Sequence, residues 1–256
     1  MDVLILPDVQ AVAQRSALFL EAAVRRHPEA VLGLATGGTM VPVYAAWVKH
    51  CAAQGLDLTR CRTFNLDEYL GLGPRDTRSF HAFMQRHLFT PAGMDPQRTR
   101  VPDGCAADPA QEAVGYEQEI RYAGGIDLQL LGLGPNGHIG FNEPLSSFSS
   151  RSRVVTLTAA TRNANARDFE NNPEQVPPRA LTMGLATILE ARRCLLVITG
   201  AHKAAMAARV IEGPVTAMVP GSLLHWHADC TVLLDEPAAS GLRWRELHDH
   251  KEGRPC

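Results

Sequence analysis

A chain of 256 residues, 45% hydrophobic, with 25 basic against 27 acidic side chains, can bury one large core or two small ones. Its interspersed charges, net −2, exclude the basic face that nucleic-acid binding requires, although one or two placed cations would still hold a small anion. No apolar run reaches the ~20 residues of a membrane span; the first residues are too short and acidic a stretch for a signal peptide. The six cysteines form no CxxC and no metal-like cluster with histidine, so reduced thiols, no metal site and a cytoplasmic setting are expected.

Residues 3–6 read as a first strand, and helical spacing of Val12, Ala13, Ala17, Leu20 and Val24 predicts a helix over 8–26. Residues 31–35 are apolar on both faces, as a central parallel strand should be. They run into Thr36, Gly37, Gly38 and Thr39, and a helix over 41–53 follows, ended by Gly55. Strand, glycine pair, hydroxyl and helix present free amide N–H groups to a phosphate; the same four residues also fit an ordinary turn with a threonine cap. A third strand over 62–66 ends in the adjacent carboxylates Asp67 and Glu68. Only one of them faces a crevice easily; an acidic pair favoured at a helix N-terminus fits equally well.

Helices are predicted over 79–88 and 108–122, with an irregular Pro- and Gly-rich stretch at 90–107. The short apolar run of Ile126, Leu128, Leu130 and Leu131 reads as a buried strand. It opens into a glycine-rich loop bearing Asn136, His138 and Glu143, placed where open α/β sheets bind ligands. In that reading Glu143 orients the His138 ring and keeps it basic enough to work near neutral pH. A strand over 153–157 and a polar stretch over 161–169 come next. The three prolines of 171–178 predict a mobile loop. The spacing of Leu181, Leu185, Ile188 and Leu189 then predicts a helix over 179–190. A strand over 194–198 meets Gly200 and Lys203, and a helix runs on to residue 211. Lys203 suits an anion or a solvated helix surface. A last strand spans 230–234, and a polar tail starts at Ser240.

Alternating strands and helices predict one α/β domain over 1–256, doubly wound, with a mainly parallel sheet and helices on both faces. No GxGxxG follows the first strand, so a dinucleotide site is not supported. Donors, carboxylate, imidazole and lysine together suit a phosphorylated polyol that undergoes proton transfer between neighbouring carbons.

The segments LATGGT, TFNLDEY, GLGPNGHIGFNEP, SSRSR, TRNANARDF, ALTMGLATIL and TGAHKA resemble the glucosamine-6-phosphate deaminases over about residues 30–235. That resemblance implies conversion of glucosamine 6-phosphate to fructose 6-phosphate and ammonia in amino-sugar catabolism, with no cofactor, and commonly a homo-oligomer. It implies Asp67 as the base moving a proton between C2 and C1, and His138, with Asn136 and Glu143, as the ring-opening set. Thr36, Gly37, Gly38, Thr39, Arg167 and Lys203 would bind the sugar phosphate, beneath a lid around 158–187. Asn136 stands where many relatives have Asp and others of the family have Asn, and an uncharged amide disfavours the imidazolium of His138. In relatives activated by N-acetylglucosamine 6-phosphate, an Arg and a Lys two residues apart hold the effector's phosphate. Here those positions are Arg153 and Val155, so no activation is expected. A 6-phosphogluconolactonase-like hydrolase shares the fold, but the FNEP and NLDEY elements oppose it. A non-catalytic sugar-phosphate sensor would have no need of Asp67 or His138.

Overall fold

Short polar side chains cap the starts of several helices in the computed structural model, which describes residues 1–247. Strand β1 (Asp2–Leu6) leads into α1 (Val9–Arg26), whose first turn is capped by Asp8 accepting from Ala11 N–H at 2.8 Å. Strand β2 (Val31–Leu34) is buried throughout, and α2 (Met40–Gln54) ends at Gly55 with φ of 60°. Strand β3 (Arg62–Asn65) is followed at once by β4 (Asp67–Tyr69), then by α3 (Phe80–Met84), which continues as a π-turn over Gln85–Phe89. Next come β5 (Thr99–Arg100), α4 (Pro109–Tyr122) and β6 (Leu128–Gly132). Beyond the glycine loop lie β7 (Arg153–Thr156), α5 (Ala159–Asn165), β8 (Arg179–Thr182) and α6 (Leu185–Leu189). The chain closes with β9 (Cys194–Ile198), α7 (Ala204–Ile211), β10 (Cys230–Asp235) and α8 (Glu236–Ala239).

Seven strands form one sheet in the order β1-β10-β9-β6-β2-β3-β5, and every pairing within it is parallel. Helices cover both faces, which is the doubly wound α/β architecture expected. The chain leaves β2 toward β3 on one side, and leaves β6 toward β9 on the other. Their carboxyl ends therefore diverge and open a crevice at this switch point. The two loops that border it are 36–39 and 132–144.

Two features differ from expectation. The predicted helix over 179–190 is strand β8 followed by the five-residue α6. Ala180, Leu181, Thr182 and Met183 are wholly buried, and a continuous apolar run fits a buried strand as well as a helix. Pairing decides: β8 is the middle of a second, antiparallel sheet of order β4-β8-β7, and Thr182 stands level with Asp67 on one side and Arg153 on the other. The stretch 90–107 also contains the two-residue edge strand β5. A smaller apolar cluster including Tyr69, Phe141, Leu157, Phe169 and Val176 packs beneath the second sheet. The polar tail is described as far as Leu247; its remainder, with Cys256, lies outside the described residues, among which the five cysteines are free.

Candidate active site

Asp67 sits where the chain passes from the large sheet to the small one. Leu66 N–H donates to Leu34 of β2, while Met183 N–H donates back to Leu66. This bend sends the two neighbouring carboxylates to different environments. Glu68 is taken up by structure: it accepts from the N–H groups of Tyr69, Phe80 and His81 at 2.9, 3.0 and 2.8 Å, capping α3. Burial still pushes Glu68 up to about 7 against those three bonds. Asp67 lies instead against the glycine loop, Oδ2 being 3.6 Å from where a Cβ on Gly140 would stand. Burial, then the charge of Glu68, pushes its carboxyl up to about 8, and no hydrogen bond from a described residue counters them.

The ring-opening set is a three-member relay rather than a direct pair. Asn136 Oδ1 accepts from His138 Nδ1 at 2.6 Å, and Asn136 Nδ2 donates to Glu143 Oε2 at 2.7 Å. The carboxylate itself stays 3.9 Å from Nδ1. The expectation that Glu143 orients the ring is thus corrected: the intervening amide does so. An amide oxygen fixes the hydrogen on Nδ1 and leaves the Nε2 lone pair free. Burial holds His138 down at about 4, with Lys203 adding to that effect and Glu143 opposing it, so the ring is neutral at pH 7. Burial alone would raise Glu143, but bonds from Thr161 and Asn136, the nearby His138 and Thr158 N–H together hold it below the usual range. Gly134 makes this packing possible, because a Cβ there would lie 2.2 Å from His138 Nε2.

The anion end comes from three segments. Thr39 opens α2 in helical conformation, and its hydroxyl makes no capping bond; Met40 N–H donates to the Gly37 carbonyl at 2.9 Å and Pro42 has no N–H, so the threonine hydroxyl is the group that this helix start leaves for a ligand. That weighs against an ordinary capped turn. Arg167, in the 3₁₀ turn Ala166–Asp168 after α5, brings its guanidinium nitrogens 3.2 and 3.3 Å from the Cβ position of Gly38. Lys203 ends the turn Ala201–Lys203 before α7, and burial followed by the neighbouring Arg167 charge lowers its proton affinity. Two cations held this close suit a dianion.

Sequence reasoning missed the residues that hold these groups. Asp235 accepts from Gly200 N–H at 2.9 and 3.0 Å and caps α8, fixing the Lys203 turn. Asn142 donates to the carbonyls of Ile139 and Met183 and accepts from Arg153, tying the glycine loop to β7 and β8. Thr158 donates to Glu143. Its one sequence signal was a threonine placed before a polar helical stretch. A cavity of about 610 Å³, lined by Val31, Arg62, Phe64 and Asp127, lies at the opposite, amino edge of the strands and is separate from this site.

Known proteins similar to this chain share its family and its fold. The family model described as glucosamine-6-phosphate isomerases/6-phosphogluconolactonase matches residues 8–233. A Rhodopirellula baltica protein named glucosamine-6-phosphate deaminase is 49% identical over 94% of this chain and 95% of its own. One of the same name from Streptomyces coelicolor is 43% identical over 98% and 96%. A solved structure described as a monomeric glucosamine-6-phosphate deaminase superposes with a TM-score of 0.92 at 43% identity, over 94% of this chain and all of that one. A 6-phosphogluconolactonase from Leishmania guyanensis, TM-score 0.74 at 20% identity over 94% and 98%, shares the fold. The chain belongs to the glucosamine-6-phosphate isomerase/6-phosphogluconolactonase family.

Proposed function

We propose that this chain is a glucosamine-6-phosphate deaminase, taking glucosamine 6-phosphate and water to fructose 6-phosphate and ammonia. The observation that carries this reading is Asp67: a buried carboxyl to which no described residue donates a hydrogen bond, lying against the glycine loop that carries the neutral His138 ring. In the reaction, the Gly37–Thr39 turn, Arg167 and Lys203 hold the phosphate. His138 Nε2 takes the proton from the anomeric hydroxyl and delivers it to the ring oxygen as the C1–O5 bond breaks, giving the open-chain aldehyde. Asp67 removes the C2 proton, and the resulting enolamine takes it back at C1. That leaves an imine at C2, which water hydrolyses, releasing ammonia. The C1–O5 and C2–N bonds break with proton transfer and the addition of water, and no change of oxidation state of the whole molecule is involved, so the chain's own side chains suffice.

A lactonase must activate water but needs no second carboxyl reserved for a carbon acid. The relatives at 49% and 43% identity carry the deaminase name, whereas the lactonase likeness stands at 20%. The reading also keeps a covering segment over the phosphate. We place its movable part at residues 158–178 rather than 158–187, because β8 is buried and paired on both edges. One relative is described as monomeric. We therefore take a single copy to be sufficient for turnover, in place of the homo-oligomer that the resemblance implied. No described helix is long and apolar enough to cross a membrane, and free thiols among the described residues favour the reducing cytoplasm.

The test offers glucosamine 6-phosphate and 6-phosphogluconolactone in parallel. Ammonia and fructose 6-phosphate from the first, with the lactone untouched, is the expected result. Lactone hydrolysis without ammonia would replace this reading by the hydrolase, and tight binding without either product would replace it by the sensor.

A further inference from the structure

Glu143 is held from two sides that belong to different parts of the molecule. Its Oε2 takes the Asn136 amide from within the glycine loop. Its Oε1 takes both the N–H and the hydroxyl of Thr158, at 3.3 and 3.1 Å, from beyond β7. Thr158 is also the N-cap of α5, accepting from Thr161 N–H at 3.2 Å. Helix α5 leads straight into the turn that carries Arg167 over Gly38. The far end of this segment is latched separately, by Asn165 donating to the Tyr69 hydroxyl at 2.8 Å and by Phe169 meeting the Tyr69 ring edge-on at 5.5 Å. One threonine thus starts the segment bearing a phosphate cation and grips the relay's carboxylate.

We propose that Thr158 is a positioning residue that couples the seating of the substrate's phosphate on Arg167 to the alignment of the Glu143–Asn136–His138 relay. This rests on the sugar-phosphate reading of the site. With the segment seated, Thr158 holds Oε1, and Oε2 is aimed at the amide hydrogens of Asn136. The Asn136 oxygen is then forced toward His138 Nδ1, and the Nε2 lone pair faces the substrate. With the segment lifted, Glu143 loses both donors from Thr158, together with the Thr161 side chain of the same segment, and its carboxylate turns toward water. Only the His138 backbone N–H, 3.3 Å from Asn136 Oδ1, then opposes rotation of the Asn136 amide, and His138 can adopt the tautomer that has a hydrogen on Nε2 and cannot take a proton there. Binding energy from the non-reacting phosphate is in this way spent on the chemical step.

Steady-state kinetics on glucosamine 6-phosphate test this with Thr158→Val, Thr158→Ser, Arg167→Ala and the Arg167→Ala/Thr158→Val double variant. Valine keeps the bulk and loses the hydroxyl. It should lower kcat about tenfold, the loss of one hydrogen bond to a charged group, with KM within about threefold of wild type. Serine, which restores the hydroxyl, should return kcat to within about threefold of wild type; a side chain needed only for packing would not give that rescue. Arg167→Ala should lower kcat as well as raise KM, and adding Thr158→Val to it should change kcat less than about twofold, because the coupled path is already broken. An unchanged kcat in Thr158→Val, a loss that serine does not repair, or fully additive effects in the double variant would each overturn the proposal. If the valine variant does not fold, the comparison of Thr158→Ser with Thr158→Asn decides by the same criterion, since both retain a cap and a donor and should stay active. Wild-type protein that releases no ammonia would instead overturn the functional reading itself.

Discussion

Replacing Asp67 with asparagine should stop turnover and stabilise the fold at the same time. In the folded chain the Asp67 carboxyl is pushed to about 8, first by burial and then by Glu68, whereas an unfolded aspartate titrates near ~3.9. Between those two values the folded protein binds more protons than the unfolded one. Stability therefore falls as pH rises through that window, and the penalty is complete above it. At pH 7 roughly three pH units of the window have been crossed, a ceiling of about 4 kcal/mol, lowered by any water that reaches the ionised group. Asparagine cannot ionise and escapes the penalty. Half of the ceiling still corresponds to a gain of about 4–8 °C in melting temperature for a chain of this size. The assay is a melting curve for both proteins at about pH 5 and about pH 8, with ammonia release measured on the same samples. The gain should be small at the lower pH and several times larger at the higher one, while kcat falls ~10²–10⁴-fold, as for a lost general base. A gain independent of pH, or a loss of stability, would refute the picture of an unpaired buried carboxyl; near-normal kcat would remove Asp67 from the chemistry.

Gly134→Ala should lower kcat at least ~10²-fold with little change in melting temperature, because the new Cβ would stand 2.2 Å from His138 Nε2 and displace the ring rather than any backbone; wild-type kcat would mean that the imidazole can move aside without harm. Lys203→Ala should raise KM for glucosamine 6-phosphate about tenfold or more, and weaken inorganic phosphate in calorimetry to match; an unchanged KM would make Lys203 a bystander. Substrate curves should be hyperbolic and unaltered by N-acetylglucosamine 6-phosphate, since Arg153 is already committed to Asn142 Oδ1 and Ser146 Oγ and Val155 offers nothing beside it. A sigmoidal curve that the acetylated sugar straightens would show a cation elsewhere doing that work.

What could be read from the residues was whatever depends on neighbours in sequence. The buried strand β6 and its glycine loop, the turn after β2 and the caps of α1 and α4 all announce themselves within a few positions. Asp67 was legible as one of two candidates, but its separation from Glu68 was not. That depends on the N–H groups of Phe80 and His81, a dozen residues on. The antiparallel sheet was hidden for the same reason. Strand β8 finds β4 across more than a hundred residues, and without that pairing its leucines fit a helix equally well. The relay shows how proximity in sequence can mislead. Asn136, His138 and Glu143 lie in one loop, yet the loop folds the amide between the ring and the carboxylate, so the direct contact inferred from spacing is not made.

The proton shuttle through Asp67 is tested most directly with glucosamine 6-phosphate deuterated at C2, following the label into fructose 6-phosphate by NMR at the earliest turnovers. A single buried carboxyl that takes the C2 proton and returns it to C1, screened from water, should deliver part of the deuterium to C1 and should slow turnover through the heavier bond. The Asp67→Asn variant should lose both the transfer and nearly all the rate. Wild-type product carrying only solvent hydrogen at C1, together with turnover indifferent to deuterium at C2, would contradict the assignment of Asp67 as the base.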